Sequence, residues 1–180
     1  MPAPATSLPA AHRALAAGDW DAAAAFTALL QARPADTEAR LGLARTLALS
    51  GHPGPALDLL TPFFASPSAS ANAPATAWFE AALIHRLSGG LDAARRTLEA
   101  APSSAREHSA WTINLADVLL EQGHPAASRD LLAAAPALLA RDPLAASAWI
   151  RAQLYLEESN ASTLRTSCGR WATWHGGSEP

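Results

Sequence analysis

The sequence predicts an all-α protein built from repeated helical hairpins. Four glycines recur at intervals of 33, 38 and 34 residues: Gly18, Gly51, Gly89 and Gly123. Four prolines recur at intervals of 33, 35 and 34 residues: Pro34, Pro67, Pro102 and Pro136. A glycine ends one helix in a left-handed turn and a proline stops the next, so each glycine–proline cycle encodes one hairpin. A fixed period of this length is typical of helical repeat proteins.

The segment 77–102 shows the hairpin pattern most clearly. From Trp78 to His85 apolar residues lie three and four apart, which places them on one face of a helix. A second helix follows the turn at Gly89 and stops at Pro102. The order Trp-x2-Ala-Ala-x2-His, then Ala-x3-Leu, then Pro resembles the tetratricopeptide repeat, a helix-turn-helix unit of about 34 residues. The resemblance implies a right-handed α-α superhelix, a TPR-like solenoid of about five helical hairpins.

The repeat positions predict a single helical domain over residues 9–174, with flexible ends at 1–8 and 175–180. The predicted units cover 9–35, 37–67, 75–102 and 104–136, followed by a degenerate terminal pair at 143–174. A solenoid needs an atypical last unit because its outer face has no following neighbour. The stretch 65–75 is rich in Pro, Ser and Ala, so we expect an inserted loop there.

Local signals mark the ends of the predicted helices. Pro53 and Pro125 fit the first turn of a helix, where a missing N–H is harmless. The segment Ser104-x-x-Glu107 has the form of a capping box, and Asp142 before a proline has the form of an N-cap. In the terminal pair, Asn160 is predicted to replace the turn glycine, because asparagine tolerates the left-handed conformation.

The repeats also predict which side chains pack between helices. Small residues recur in the first helix of each unit: Ala11, Ala44, Ala82 and Ala116. The second helices also carry a small residue at one repeated position: Ala23, Ala56, Ala94 and Ser128. Four positions later stand Thr27, Leu60, Leu98 and Leu132. Trp78, Trp111 and Trp149 lie near the starts of three first helices, where the resemblance implies a core aromatic. We expect all three rings to be buried.

Composition argues against several classes of function. The net charge is −3, and all 13 basic residues are dispersed arginines, so no basic surface for nucleic acid is predicted. The arginine- and alanine-rich composition is typical of a high-GC bacterial genome. No apolar run is long enough to span a membrane, and the start lacks a signal peptide, so we expect a cytoplasmic protein. Removal of a signal peptide would make it periplasmic instead.

The sequence contains no recognisable catalytic motif, and no cofactor is predicted. The single cysteine, Cys168, cannot form an internal disulfide. His52 and His124 recur at equivalent turns, but they are two repeats apart and cannot share one metal ion. We therefore predict a non-enzymatic adaptor that supports assembly of a multiprotein complex. The alternative is a non-catalytic or regulatory subunit of an enzyme complex.

The resemblance implies that a protein or peptide partner lies in a concave groove lined by the first helices. The inward positions are Leu41, Arg45, Leu49, Phe79, Leu83, Arg86, Ile113, Asp117 and Glu121. They predict an apolar floor, with Arg45 and Arg86 meeting acidic groups of the partner. The chain has no lysine for a clamp on a terminal carboxylate, which argues against a co-chaperone that binds chaperone tails.

The last predicted helix offers a second candidate surface. Trp171 and Trp174 form an apolar stripe with Leu164 and Cys168 at roughly helical spacing. Either the helix folds both rings back against the terminal pair, or the rings form an exposed patch through which the chain self-associates.

Overall fold

The computed structural model describes residues 7–19, 21–156 and 160–176, and these residues form thirteen helices and no strand. Eight of the helices pack as four hairpins: α1 (Leu8–Ala16) with α2 (Asp21–Ala32), α3 (Thr37–Leu49) with α4 (Pro53–Phe64), α9 (Ser109–Glu121) with α10 (Pro125–Ala133), and α12 (Pro143–Leu154) with α13 (Ala161–His175). α6 (Ala75–Leu87) and α7 (Leu91–Ala100) follow each other across the glycine turn at Gly89. Three short helices lie between hairpins: α5 (Pro67–Asn72), α8 (Ser103–Arg106) and α11 (Pro136–Arg141). The predicted all-helical hairpin fold is confirmed.

The chain divides into two compact units, Met1–Thr97 and Leu98–Pro180. In the first unit, α3 packs against α1, α2, α4 and α6. In the second unit, α12 packs against α9, α10, α11 and α13. Most of the predicted flexible N-terminus lies outside the described residues, but Ser7 is described and caps α1 by accepting a hydrogen bond from Ala10 N. Of the predicted C-terminal tail, His175 belongs to α13 and the last four residues lie outside the described ranges.

The predicted turn chemistry is confirmed at every repeat glycine. Gly18, Gly51, Gly89 and Gly123 have φ values of 71°, 81°, 78° and 81°. This left-handed region carries a steric cost for any residue with a Cβ atom, so glycine is favoured at each turn. Prolines begin α4 and α10, as predicted. The regular spacing of these residues therefore reflects a backbone requirement that is repeated in each hairpin.

Three predictions about helix ends and loops are wrong. The stretch 65–75 contains a short helix, α5, because the Ser66 hydroxyl caps it by accepting from Ala69 N at 3.1 Å. Ser104 and Glu107 form no capping box, since a short helix starts directly after Pro102 and α9 starts only at Ser109. Asn160 does not adopt the left-handed conformation.

Asn160 has φ −133° and is the N-cap of α13. Its side chain accepts hydrogen bonds from Ser162 N and Thr163 N, each at 3.0 Å. The Thr163 hydroxyl accepts from Asn160 N and completes a capping box. The predicted cap at Asp142 is confirmed, because its carboxylate accepts from Leu144 N at 2.9 Å.

The small residues predicted between helices are buried, with one change of register. Ala11, Ala44, Ala82 and Ala116 are all at most 2% exposed. In the second helices Ala56, Ala94 and Ser128 are buried as predicted, as are Leu60, Leu98 and Leu132. In the first hairpin, however, Ala22 and Phe26 are buried, whereas Ala23 is half-buried and Thr27 is exposed. The burial of a phenylalanine in place of a threonine explains the one-residue shift.

Phe26 also explains a glycine inside α3. A Cβ atom at position 42 would overlap the ring of Phe26, which is 0% exposed and cannot move aside. We expect Gly42→Ala to lower the free energy of unfolding by about 1–3 kcal/mol, because this overlap outweighs the better helix propensity of alanine.

Gly169 in α13 provides the matched control, since a Cβ atom there would meet no atom within 4 Å. Gly169→Ala should raise stability by about 0.5–1 kcal/mol. Thermal unfolding of both variants checks the pair of predictions. An unchanged or higher melting temperature for Gly42→Ala would contradict the packing of Phe26 against α3.

The three tryptophans differ in burial. Trp78 is 7% exposed and contacts Phe64 edge-on, with ring centroids 4.8 Å apart. Trp149 is only half-buried, so the prediction of a buried ring is wrong for this residue. The same is true of Trp111.

Trp111 lies 12 residues before its turn glycine, Gly123, whereas Trp78 lies 11 residues before Gly89. Because each residue along a helix rotates the side chain by about 100°, the two rings lie on different faces of their helices. The Trp111 indole N–H donates to the Leu98 carbonyl at 2.8 Å.

Candidate functional site

The first unit contains an open pocket of about 180 Å³ formed by the first helices of its repeats, α1, α3 and α6. Its lining combines apolar and charged side chains: His12, Leu15, Glu38, Leu41, Gly42, Arg45, Thr76 and Glu80. Two predicted groove residues, Leu41 and Arg45, are among them. Glu38 and Glu80 were not anticipated from the sequence. The pocket therefore has apolar walls, and its charged lining contains two carboxylates beside the predicted arginine.

Arg45 is held by an ion pair with a carboxylate of the next repeat. The Arg45 Nε donates to Glu80 Oε2 at 3.0 Å, and the Arg45 Nη2 lies 2.5 Å from Glu80 Oε1. The Glu80 side chain is only 10% exposed, whereas the Arg45 side chain is 46% exposed. Burial raises the pKa of Glu80, and the charge and hydrogen bonds of Arg45 partly offset this rise. Arg45 therefore compensates a buried charge within the protein itself.

The other predicted groove residues of the first unit do not line this pocket. Leu49 is 56% exposed, at the end of α3. It lines another pocket of the first unit, of about 230 Å³, together with Leu15 and Thr46. Phe79, Leu83 and Arg86 are half-buried on α6.

The second unit contains a pocket of about 270 Å³ on α9 and α12. Its lining residues are Asp117, Leu120, Glu121, Arg151 and Tyr155. Asp117 and Glu121 are predicted groove residues, whereas the third one in this unit, Ile113, packs against the core formed by α9 to α12. Sequence reasoning missed Tyr155, the single tyrosine of the chain, which is 70% exposed.

Each of the two pockets contains its own ion pair, and the two pairs occupy equivalent positions of the repeat. Arg45 follows Ala44 and pairs with Glu80, which is 35 residues further along the chain. Asp117 follows Ala116 and pairs with Arg151 at 2.6 Å, across 34 residues. Both separations match the repeat period, and the charges are reversed between the two pairs. A search for opposite charges one period apart could have found them in the sequence.

The C-terminal helix folds back on the terminal pair, which is the first of the two predicted alternatives. Trp174 packs beside Trp149 with ring centroids 6.5 Å apart. The ring of Trp171 lies 5.6 Å from that of His175, and His175 Nε2 is 2.8 Å from the Leu139 carbonyl oxygen. Both tryptophans are half-buried. Contacts within the second unit therefore account for much of the apolar stripe on this helix.

His85 adds a pH-dependent contribution to stability. Burial, and then the positive charge of Arg96, lower the pKa of His85 from its usual 6.5. The unfolded chain therefore binds this proton more readily, so the contribution is complete above pH 6.5 and is lost as the pH falls below it. We expect the melting temperature of the wild type to fall more between about pH 7.5 and about pH 5.5 than that of His85→Gln. Equal falls would contradict this assignment.

Other types of site are not evident in the described residues. Among residues 7–19, 21–156 and 160–176, no group of three His, Cys, Asp or Glu side chains is arranged to hold a metal ion. His52 and His124 instead precede α4 and α10 as N-cap residues. No helix in the same ranges has the length and hydropathy needed to cross a membrane.

Comparisons with known proteins identify the fold. No protein-family model matches the sequence, and no curated protein matches it significantly. The structure of TTC0263, a thermophilic TPR protein of Thermus thermophilus, matches with a TM-score of 0.75 and 20% identity over 95% of this chain and 91% of that chain. The MamA structure matches with a TM-score of 0.64 and 17% identity over 92% and 88% of the two chains.

The hairpin architecture and the recurring turns define a helical repeat protein. The structural matches specify the repeat, because they extend over nearly the whole chain. The chain has the tetratricopeptide-repeat fold.

Proposed function

We propose that this protein is an interaction adaptor that binds a segment of a partner protein on its first helices and so supports assembly of a multiprotein complex. The observation that carries the proposal is the open pocket of the first unit, formed by α1, α3 and α6. Leu15 and Leu41 supply apolar wall area for a partner side chain, while the charged lining residues set its orientation.

The proposed binding surface extends beyond the pocket to the other predicted inward residues. In the first unit these are Leu49, Phe79, Leu83 and Arg86 beside the pocket residues. In the second unit, Asp117 and Glu121 line their own pocket. Arg45 takes a different role from the predicted one, since it already pairs with Glu80. The adaptor has no catalytic role of its own in this proposal.

Filling the pocket provides the direct test. Thr76 is exposed and lines the pocket, so Thr76→Trp should block the entry of a partner side chain. Thr61 is also exposed, and it lies on α4 outside the pocket. Thr61→Trp is therefore the matched control. The partner is first captured from the native host, and the identified protein is then purified and its affinity for each variant is measured.

We expect Thr76→Trp to weaken binding by about tenfold or more, and Thr61→Trp to leave it nearly unchanged. A third variant, with Trp171 and Trp174 both changed to serine, tests the C-terminal helix. If only this variant loses the partner, the binding surface lies on α13 and the proposed site is wrong. Capture of an enzyme would favour the alternative function, a regulatory subunit of an enzyme complex.

A further inference from the structure

The pocket of the first unit has an excess of negative charge. Its charged lining residues are two carboxylates, Glu38 and Glu80, and one guanidinium, Arg45. Arg45 uses two nitrogens on Glu80, so its strongest hydrogen-bonding geometry is already occupied. Glu38 is exposed, and no ion-pair partner for it is found in the part of the chain that the structure describes. An incoming group therefore meets the Glu38 carboxylate beside a guanidinium that is already compensated.

The pocket of the second unit is also lined by acidic side chains. Asp117 and Glu121 are its carboxylates, and Arg151 is its guanidinium. Arg151 pairs with Asp117 at 2.6 Å, as Arg45 pairs with Glu80 in the first unit. Tyr155 adds an exposed aromatic ring to this lining, and a cation over such a ring is attracted by the electron-rich face. The lining of the second pocket thus also combines apolar surface with acidic side chains.

We propose that the partner segment is cationic, and that an arginine or lysine side chain flanked by apolar residues enters the pocket of the first unit. This inference rests on the proposed function and specifies the chemistry of its partner. The cationic head would pair with Glu38 at the rim, and the aliphatic stem would lie against Leu15 and Leu41. An acidic segment would instead face the Glu38 carboxylate, and it would have to compete with Glu80 for Arg45.

A displayed library of random 12-residue peptides provides the probe. The full chain is panned against the library, and enriched peptides are synthesised for affinity measurements at low and high salt. Glu38→Lys reverses the exposed charge, and Glu38→Gln removes it with less disturbance to the start of α3. Asp58→Lys and Asp58→Asn are the matched controls, because Asp58 is exposed on α4 and does not line the pocket. Circular dichroism checks that each variant is folded.

We expect the enriched peptides to contain more arginine and lysine than the input library. Their affinity should fall about fivefold or more in Glu38→Lys, about two- to fivefold in Glu38→Gln, and less than about twofold in either Asp58 variant. Their affinity should also fall as salt is raised.

The outcomes separate this inference from the proposed function. Peptides that lose binding in Thr76→Trp but are neutral or acidic would overturn the cationic partner and leave the adaptor function standing. Equal losses in the Glu38 and Asp58 variants would also overturn it, because they would show a general response to net charge. If no peptide is enriched, or if every enriched peptide binds Thr76→Trp as well as the wild type, the proposed function fails together with the inference.

Discussion

Replacing Trp78 by alanine is expected to lower the free energy of unfolding by about 3–5 kcal/mol, as other large-to-small changes in protein cores do. The ring is 7% exposed and packs edge-on against Phe64 of the preceding hairpin. Removing it would therefore leave a cavity between two repeats. Chemical denaturation followed by circular dichroism measures the loss.

Two control variants test the packing of this ring. The Trp78 indole N–H is buried, and it has no hydrogen-bond partner among the described residues. Trp78→Phe should therefore cost much less than Trp78→Ala, because it keeps an aromatic ring and removes an unsatisfied donor. Trp111→Ala should also cost less, since Trp111 is only half-buried. Equal losses for Trp78→Ala and Trp111→Ala would contradict the difference in register between the two helices.

Reversing the charge of Arg45 is expected to destabilise the fold by about 2–4 kcal/mol. Arg45→Glu would leave the buried Glu80 carboxylate unpaired and place a second negative charge beside it. Breaking a buried ion pair costs about 3–5 kcal/mol, and the 46% exposure of the Arg45 side chain reduces this figure. The sequence predicts a different role for Arg45, in which it meets acidic groups of the partner.

The exchanged pair is the control for this prediction. In the double variant Arg45→Glu with Glu80→Arg, the pair is re-formed with its charges reversed. The equivalent pair of the second unit has this polarity, with Asp117 in the place of Arg45 and Arg151 in the place of Glu80. We expect the double variant to recover most of the lost stability. Additive losses from the two single variants would show that the charges do not interact.

The sequence predicted the hairpins well because their determinants are local. A glycine turn such as Gly51 and a helix start such as Pro53 each depend on a few neighbouring residues. The register of the first hairpin was wrong because the repeat spacing assigned the buried position to Thr27, one residue after the larger apolar side chain of Phe26. Burial of the larger apolar ring is favoured, and Gly42 on the facing helix provides the space for it.

The candidate site was less predictable because it depends on contacts between repeats. The choice between binding and structural roles for Arg45 depended on the position of Glu80, 35 residues away. Leu41, which the sequence places in the floor of a groove, lies in the lining of this pocket. Glu38 and Tyr155 were missed because exposed residues follow no hydrophobic period, and only the folded arrangement of helices shows that they line a pocket.

Amide hydrogen exchange with a bound peptide would test the proposed binding surface most directly. The peptide is one that the wild type enriches from the displayed library, and exchange is compared in its presence and absence. We expect added protection in α3 and α6 of the first unit, whose residues line the pocket. Protection confined to α13, with α3 and α6 unchanged, would contradict the proposal and assign binding to the C-terminal helix.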